Sequence, residues 1–255
     1  LDRIAIVYRD LGDGAHALRG VLTEYGIPFS MSQREPLAQT SVGAFVLALL
    51  DALENWRRDD VVDVLASPWF APGDSDTSSI AGLVAVTAKL ACVIEGRTEW
   101  RDNIGRLVGM LQEASSDETK RLLSRYAGLL VAVQGIQRRL LLLEEMADSL
   151  PGSATVHSFL QAFVSVLDRC GTAGQLVTYP VCECADRERD AWKSLHGAIS
   201  RLANWYPGDE TFPRAKCFAL LRQAFQEVTC ETPSKQAGVA CLDAESVRNI
   251  AFDHV

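Results

Sequence analysis

The stretch that decides the fold is Ile4-Ala5-Ile6-Val7-Tyr8-Arg9, followed after a helix-like segment by Tyr25-Gly26-Ile27-Pro28-Phe29. The first five of these residues are β-branched, small or aromatic and predict a short buried strand. From Ala15 to Tyr25, the positions Ala15, Leu18, Val21, Leu22 and Tyr25 recur at helical spacing on one face. Gly26 stands where a helix commonly ends, because a residue without Cβ adopts the left-handed conformation cheaply. Ile27 to Met31 supplies a second strand. Strand, helix and strand within about thirty residues make a βαβ unit, whose two strands run parallel.

Beyond Glu35 the pattern turns helical. Val42, Phe45, Val46, Leu49, Leu50, Leu53 and Trp56 repeat at three- and four-residue intervals, giving one continuous apolar face. Further helices are expected over Asp59–Ala66, ending before Ser67-Pro68, over Ser79–Val93 with Ile80, Leu83, Val84, Thr87 and Leu90 on one side, and around Trp100, Ile104, Leu107, Val108 and Leu111. The longest is expected over Asp117–Asp148, where Gly128 and Gly135 each cost up to about 1 kcal/mol relative to alanine. Thr155–Asp168 and Asp186–Trp205 follow, with an irregular connection from Cys170 to Cys184 and a turn from Tyr206 to Thr211 between the later elements. Pro213 opens a last helix, and Thr232–Gly238 is a polar linker before Val239 and Cys241 return to strand character. The organisation is mainly α: a helical domain over 36–235, inserted between a first α/β part at 1–35 and return strands at 236–255.

Two features of this order carry a resemblance. The opening "IAIVYRD", a helix and "YGIPF", followed by "PLAQTSVGAFVLALLDALENW" and "DDVVDVLASPWF", resemble the start of the second motor domain of superfamily 1 helicases of the UvrD/Rep type. They are closer still to the helicase-like B subunit of AddAB-type ATP-dependent helicase–nucleases. The final "GVACLDAESVRNIAFDHV" resembles the strand–loop–strand where such a chain returns to its RecA-like motor domain. The resemblance implies a parent that processes double-stranded DNA ends in recombinational repair beside a helicase–nuclease partner subunit, using ATP and magnesium. The first residue is leucine and the last residues, Phe252-Asp253-His254-Val255, sit inside an apolar run, so both ends are expected to be cut from a longer protein.

The same comparison marks departures. Active motors of this type carry T-x-H-x-[SA]-K-G-L-E-F-D-x-V in the return segment. Aligned on Phe252-Asp253-His254-Val255, this chain has Glu245 for the histidine, Arg248 for the lysine, Asn249 for the glycine and Ala251 for the glutamate. Apolar positions that build a strand survive, while those coupling nucleotide to DNA are changed. The sequence also contains no Gly-Lys pair and hence no G-x-x-x-x-G-K-[ST] phosphate loop. A non-catalytic, helicase-like scaffold is therefore expected, the alternatives being part of a working helicase or an all-helical protein-interaction module.

Candidate residues are few. Arg9, at the end of a parallel strand, is placed to reach the cleft where α/β domains bind phosphates, and in the helicases it resembles the matching arginine faces the nucleotide. Against it stands an arginine simply snorkelling into solvent. Candidate DNA contacts are Arg138 with Arg139 and Arg121 with Arg125; Arg57 with Arg58 form a similar pair. The ordinary use of these groups is as solvated helix faces or as partners of Glu144, Glu145 or Asp117. A net charge of −8 opposes phosphate contact over most of the surface.

Asp117-Glu118-Thr119-Lys120 has the acidic-x-Lys spacing of restriction-type nucleases but lies at a helix start, where acidic residues favour the dipole. Ser153, His157 and Ser158 do not share a helix direction suited to nucleophile and base. Seven irregularly spaced cysteines suggest reduced thiols in a cytoplasmic protein. Cys182-Glu183-Cys184 would need further ligands such as Cys170, His157 or His196, and no metal and no catalytic residue is expected. No apolar run is long enough to cross a bilayer.

Overall fold

The computed structural model describes residues 4–9, 14–31, 33–72, 78–114, 120–178, 183–232 and 238–244. It is mainly helical, with a small three-stranded parallel sheet. β1 (Ala5–Tyr8), α1 (Ala15–Glu24) and β2 (Phe29–Met31) form the opening unit, and β7 (Val239–Asp243) returns to it. β1 and β2 do not pair with each other. Both pair in parallel with β7, which lies between them, with Ile6 and Met31 flanking Cys241 in one row. The two ends of the described chain thus meet in one sheet; the strand expected near Phe252 falls outside the described residues.

The helix α1 ends as its sequence requires. Gly26 has φ of +63°, its N–H donates to Thr23 and the Ile27 N–H to Leu22, so the last carbonyls of the helix are satisfied by a left-handed residue. Leu22, Met31 and Cys241, with Ile6, Leu18 and Phe29, make a small core beneath this helix. Every other buried cluster residue belongs to a separate, far larger core among the helices.

That larger core is built by α2 (Ser41–Asn55), α3 (Arg58–Ala66), α4 (Ser78–Leu90), α5 (Arg97–Ala114), α6 (Lys120–Ser149), α7 (Val156–Arg169), α8 (Thr172–Thr178), α9 (Glu183–Trp205) and α10 (Arg214–Gln226). The seven positions from Val42 to Trp56 read as one apolar face are all buried. Trp69, Phe70 and Trp100 are buried with them, and Phe159 meets Phe218 edge to face at 5.4 Å between α7 and α10. No helix of the described residues is long and apolar enough to cross a membrane.

Two short ribbons were missed by periodicity. β3 (Gln33–Pro36) pairs antiparallel with β6 (Thr229–Thr232), so the way into the helical part and the way out run side by side as a neck. Thr232, expected to begin a linker, is paired with Gln33. β4 (Ser153–Thr155) pairs with β5 (Thr211–Pro213), each leading straight into a helix. Thr155 caps α7, its hydroxyl accepting from the Ser158 N–H. Pro213 does not take the first helical position but the extended one before it, at φ −58° and ψ 147°, where its missing N–H costs the ribbon nothing. A helix, α8, also replaces part of the irregular connection after Cys170.

On α4, Leu90 does not share the burial of Val84 and Thr87, with which it was expected to form one side. Leu90 is 54% exposed, because the helix ends there and not at Val93. Cys92 adopts φ of +53°, its N–H donating to Lys89 and that of Val93 to Ala88, and Val93 takes the buried place beside Ala88. This is the Schellman turn of α1 repeated without a glycine.

The start of α2 is held by contacts from two other places in the chain. Thr40 accepts from the Gly43 N–H, and Glu188, buried on α9, accepts from the N–H groups of Ser41 (3.0 Å) and Val42 (2.7 Å). A carboxylate at a helix N-terminus satisfies donors that lack an intrahelical partner and complements the dipole. Gly43 permits the Leu37 turn to close over the helix, since a Cβ there would lie 1.9 Å from the Leu37 carbonyl oxygen. Glu188→Ala is expected to destabilise the chain by about 1–3 kcal/mol, the range for stranding buried donors, as read from urea unfolding. Glu188→Gln should lose less, because one oxygen still accepts.

The separation of the two cores generates a second expectation. Residues 33–232 expressed alone should keep the helical circular dichroism of the whole chain and unfold cooperatively. Loss of most of that helical signal would show that the small sheet is needed to fold the helices.

Candidate functional site

Three parallel strands present their carboxyl ends at one edge, where α/β sheets ordinarily bind ligands. At that edge Tyr8 lies opposite Asp243, and the Ala244 N–H donates to the Tyr8 carbonyl at 2.8 Å. Arg9 follows at once and is exposed, beside a Tyr8 that is itself 41% exposed. Among the described residues Arg9 forms no ion pair. β2 leaves the sheet at this same edge for the neck, because all three strands point the same way. An exposed guanidinium here is chemically suited to a phosphate or carboxylate, which it can meet through two parallel N–H donors.

The arginines singled out on α6 do not form one strip. Arg138 is exposed, but Arg139 is only 3% exposed and points into the protein, where its Nη1 donates to the Leu65 carbonyl of α3 at 2.9 Å. Arg139 is therefore not a surface group: neighbours in sequence on a helix diverge by about 100°, so one of an adjacent pair readily faces inward. Arg121 and Arg125 fall on the first turns of α6, and their side chains lie outside the described residues, as does Asp117. Arg57 is exposed, while Arg58 Nε meets Asp59 at 3.1 Å.

Two of the carboxylates expected to answer these arginines, Glu144 and Glu145, are engaged by other helices. Glu144, almost wholly buried, accepts from Arg101 of α5, and Glu145 accepts from Arg169 of α7. Arg97 donates to both carboxylate oxygens of Asp148 and lies 5.8 Å above the Trp56 ring. Its hydrogen bond holds the Asp148 carboxyl below the ordinary carboxylate range. Arg222 of α10 binds Asp51 and Glu54 of α2, and Arg214 donates to the Leu53 carbonyl. Sequence periodicity carries no signal for such pairs, which join residues far apart in the chain.

The remaining candidates separate. His157 meets Gln161 at 3.0 Å, and Ser158 accepts from the Thr155 hydroxyl, so no serine–histidine contact is made there. Cys170 is buried beside Met146, and burial pushes its thiol up to about 12, which keeps it protonated. Cys182 and the side chain of Cys184 lie outside the described residues. Among the described residues no group of three or more histidine, cysteine, aspartate or glutamate side chains is placed to hold a metal ion. The sequence matches no protein-family model and no curated protein.

Two measurements follow from these environments. Cys92 is exposed whereas Cys170, Cys217, Cys230 and Cys241 are buried. With a thiol reagent and peptide mapping, Cys92 should be labelled in the native protein and the other four only on unfolding; rapid native labelling of Cys217 or Cys230 would contradict the packing of the helical core. His196 of α9 is half-buried, its ring 4.7 Å from Trp192, and burial lowers its pKa below 6.5 while the nearby Asp168 opposes the shift. A depressed folded pKa means that the unfolded state binds the proton more readily, so stability is lost as pH falls through 6.5 and below. Urea unfolding at pH 7 and pH 5.5 should show that loss shrinking in His196→Gln.

Proposed function

We propose that this chain is a helicase-like, non-catalytic scaffold and DNA-path region of an ATP-dependent helicase–exonuclease acting on double-stranded DNA ends in recombinational repair. The observation that carries this reading is the pairing of β7 between β1 and β2, with the helices α2 to α10 and the β3–β6 neck lying between β2 and the return. A motor-type α/β unit interrupted by a large helical insertion has that connectivity. The order of motifs at the two ends of the chain supports the same assignment, and so does the position of Arg9 at the carboxyl edge.

In this reading the parent works in the cytoplasm with a helicase–nuclease partner subunit, which supplies the motor. ATP and magnesium belong to that complex. Arg9 suits contact with a phosphate approaching the sheet edge; a phosphate loop is absent from the sequence, so no hydrolytic step is derived from this chain's own residues. In this reading the parallel sheet is that of a RecA-like second motor domain. The helical part contributes framework and a DNA-facing surface that includes Arg138.

The proposal is tested on the purified chain. It should turn over neither ATP nor DNA with magnesium present, and reproducible turnover abolished by Arg9→Ala would overturn the non-catalytic assignment. In fluorescence anisotropy with a short forked duplex across a salt series, affinity should be micromolar or weaker. Two or three phosphate contacts give a slope of about −2 to −3 in log K against log salt. Nanomolar affinity near physiological salt, reduced by Arg138→Glu, would make this part the main DNA grip and not a scaffold.

A further inference from the structure

We draw no further inference here: the strongest candidate, the exposed apolar strip formed by Val86 and Leu90 on α4 with Ile94 in the loop that follows, is an unpartnered face, and nothing in the structure shows what covers it.

Discussion

The hydrogen bonding of β7 on both of its edges is the constraint on which the architecture rests. Remove it and β1 and β2 have no bond to one another, since every ladder contact each makes in the parallel sheet is to β7. The small core depends on it equally, because Cys241 sits between Ile6 and Met31 in the row beneath α1. A core of this size supplies little stability by itself. The sheet closes only when the chain has travelled through the helices and come back, so its ends are held together by the fold of everything between them. The neck makes that return inexpensive in entropy: β3 and β6 already lie side by side, and the Leu37 N–H donates to the Val228 carbonyl at the helical end.

Inside the helical part, charge is used as strutting. Arg97 and Arg101 tie α5 to α6, Arg222 ties α10 to α2, Arg139 ties α6 to α3, and Glu188 ties α9 to the start of α2. Glu144 and Glu188 are buried and receive their hydrogen bonds from guanidinium and backbone N–H groups, which is the condition under which a buried carboxylate is tolerated. Trp56 belongs to the same strutting. A bulky residue at φ of +55° is unfavourable alone, but its carbonyl accepts from the Gly96 N–H and the Trp100 indole, and Arg97 covers its ring.

What was legible in the sequence was whatever periodicity and turn chemistry encode. The α2 face, the break before Pro68, the glycine at the end of α1 and the extended character of residues 239–241 each follow from residue type at fixed spacing. Lost from view were interactions whose partners are remote. Ser153–Thr155 and Thr211–Pro213 are too short to alternate, and become strands only because they meet each other. Leu90 fits a helical repeat perfectly well; its exposure is decided by Cys92 taking a left-handed conformation that few sequence rules assign to cysteine. Arg139 shows the same limit at the candidate site, since a run of two arginines does not say which of them faces the core.

This division of arginines decides which guanidinium groups of an acidic chain are open to an anion. A guanidinium that already holds a carboxylate can bind phosphate only by giving up that partner, and in the helical part Arg97, Arg101 and Arg222 all hold carboxylates that join separate helices. Binding through them would trade framework for contact. Arginines outside these joints, among them Arg9 at the sheet edge and Arg138 on the outer face of α6, are exposed. They belong to different bodies of the chain, one beside the small core and one on the large core. Arg9 also lies at the edge from which β2 departs for the neck, so a group bound there sits at the root of the connection that carries the helices. The β3–β6 neck joins the small sheet to the helices, so the exposed arginines are divided between two parts linked by one paired connection.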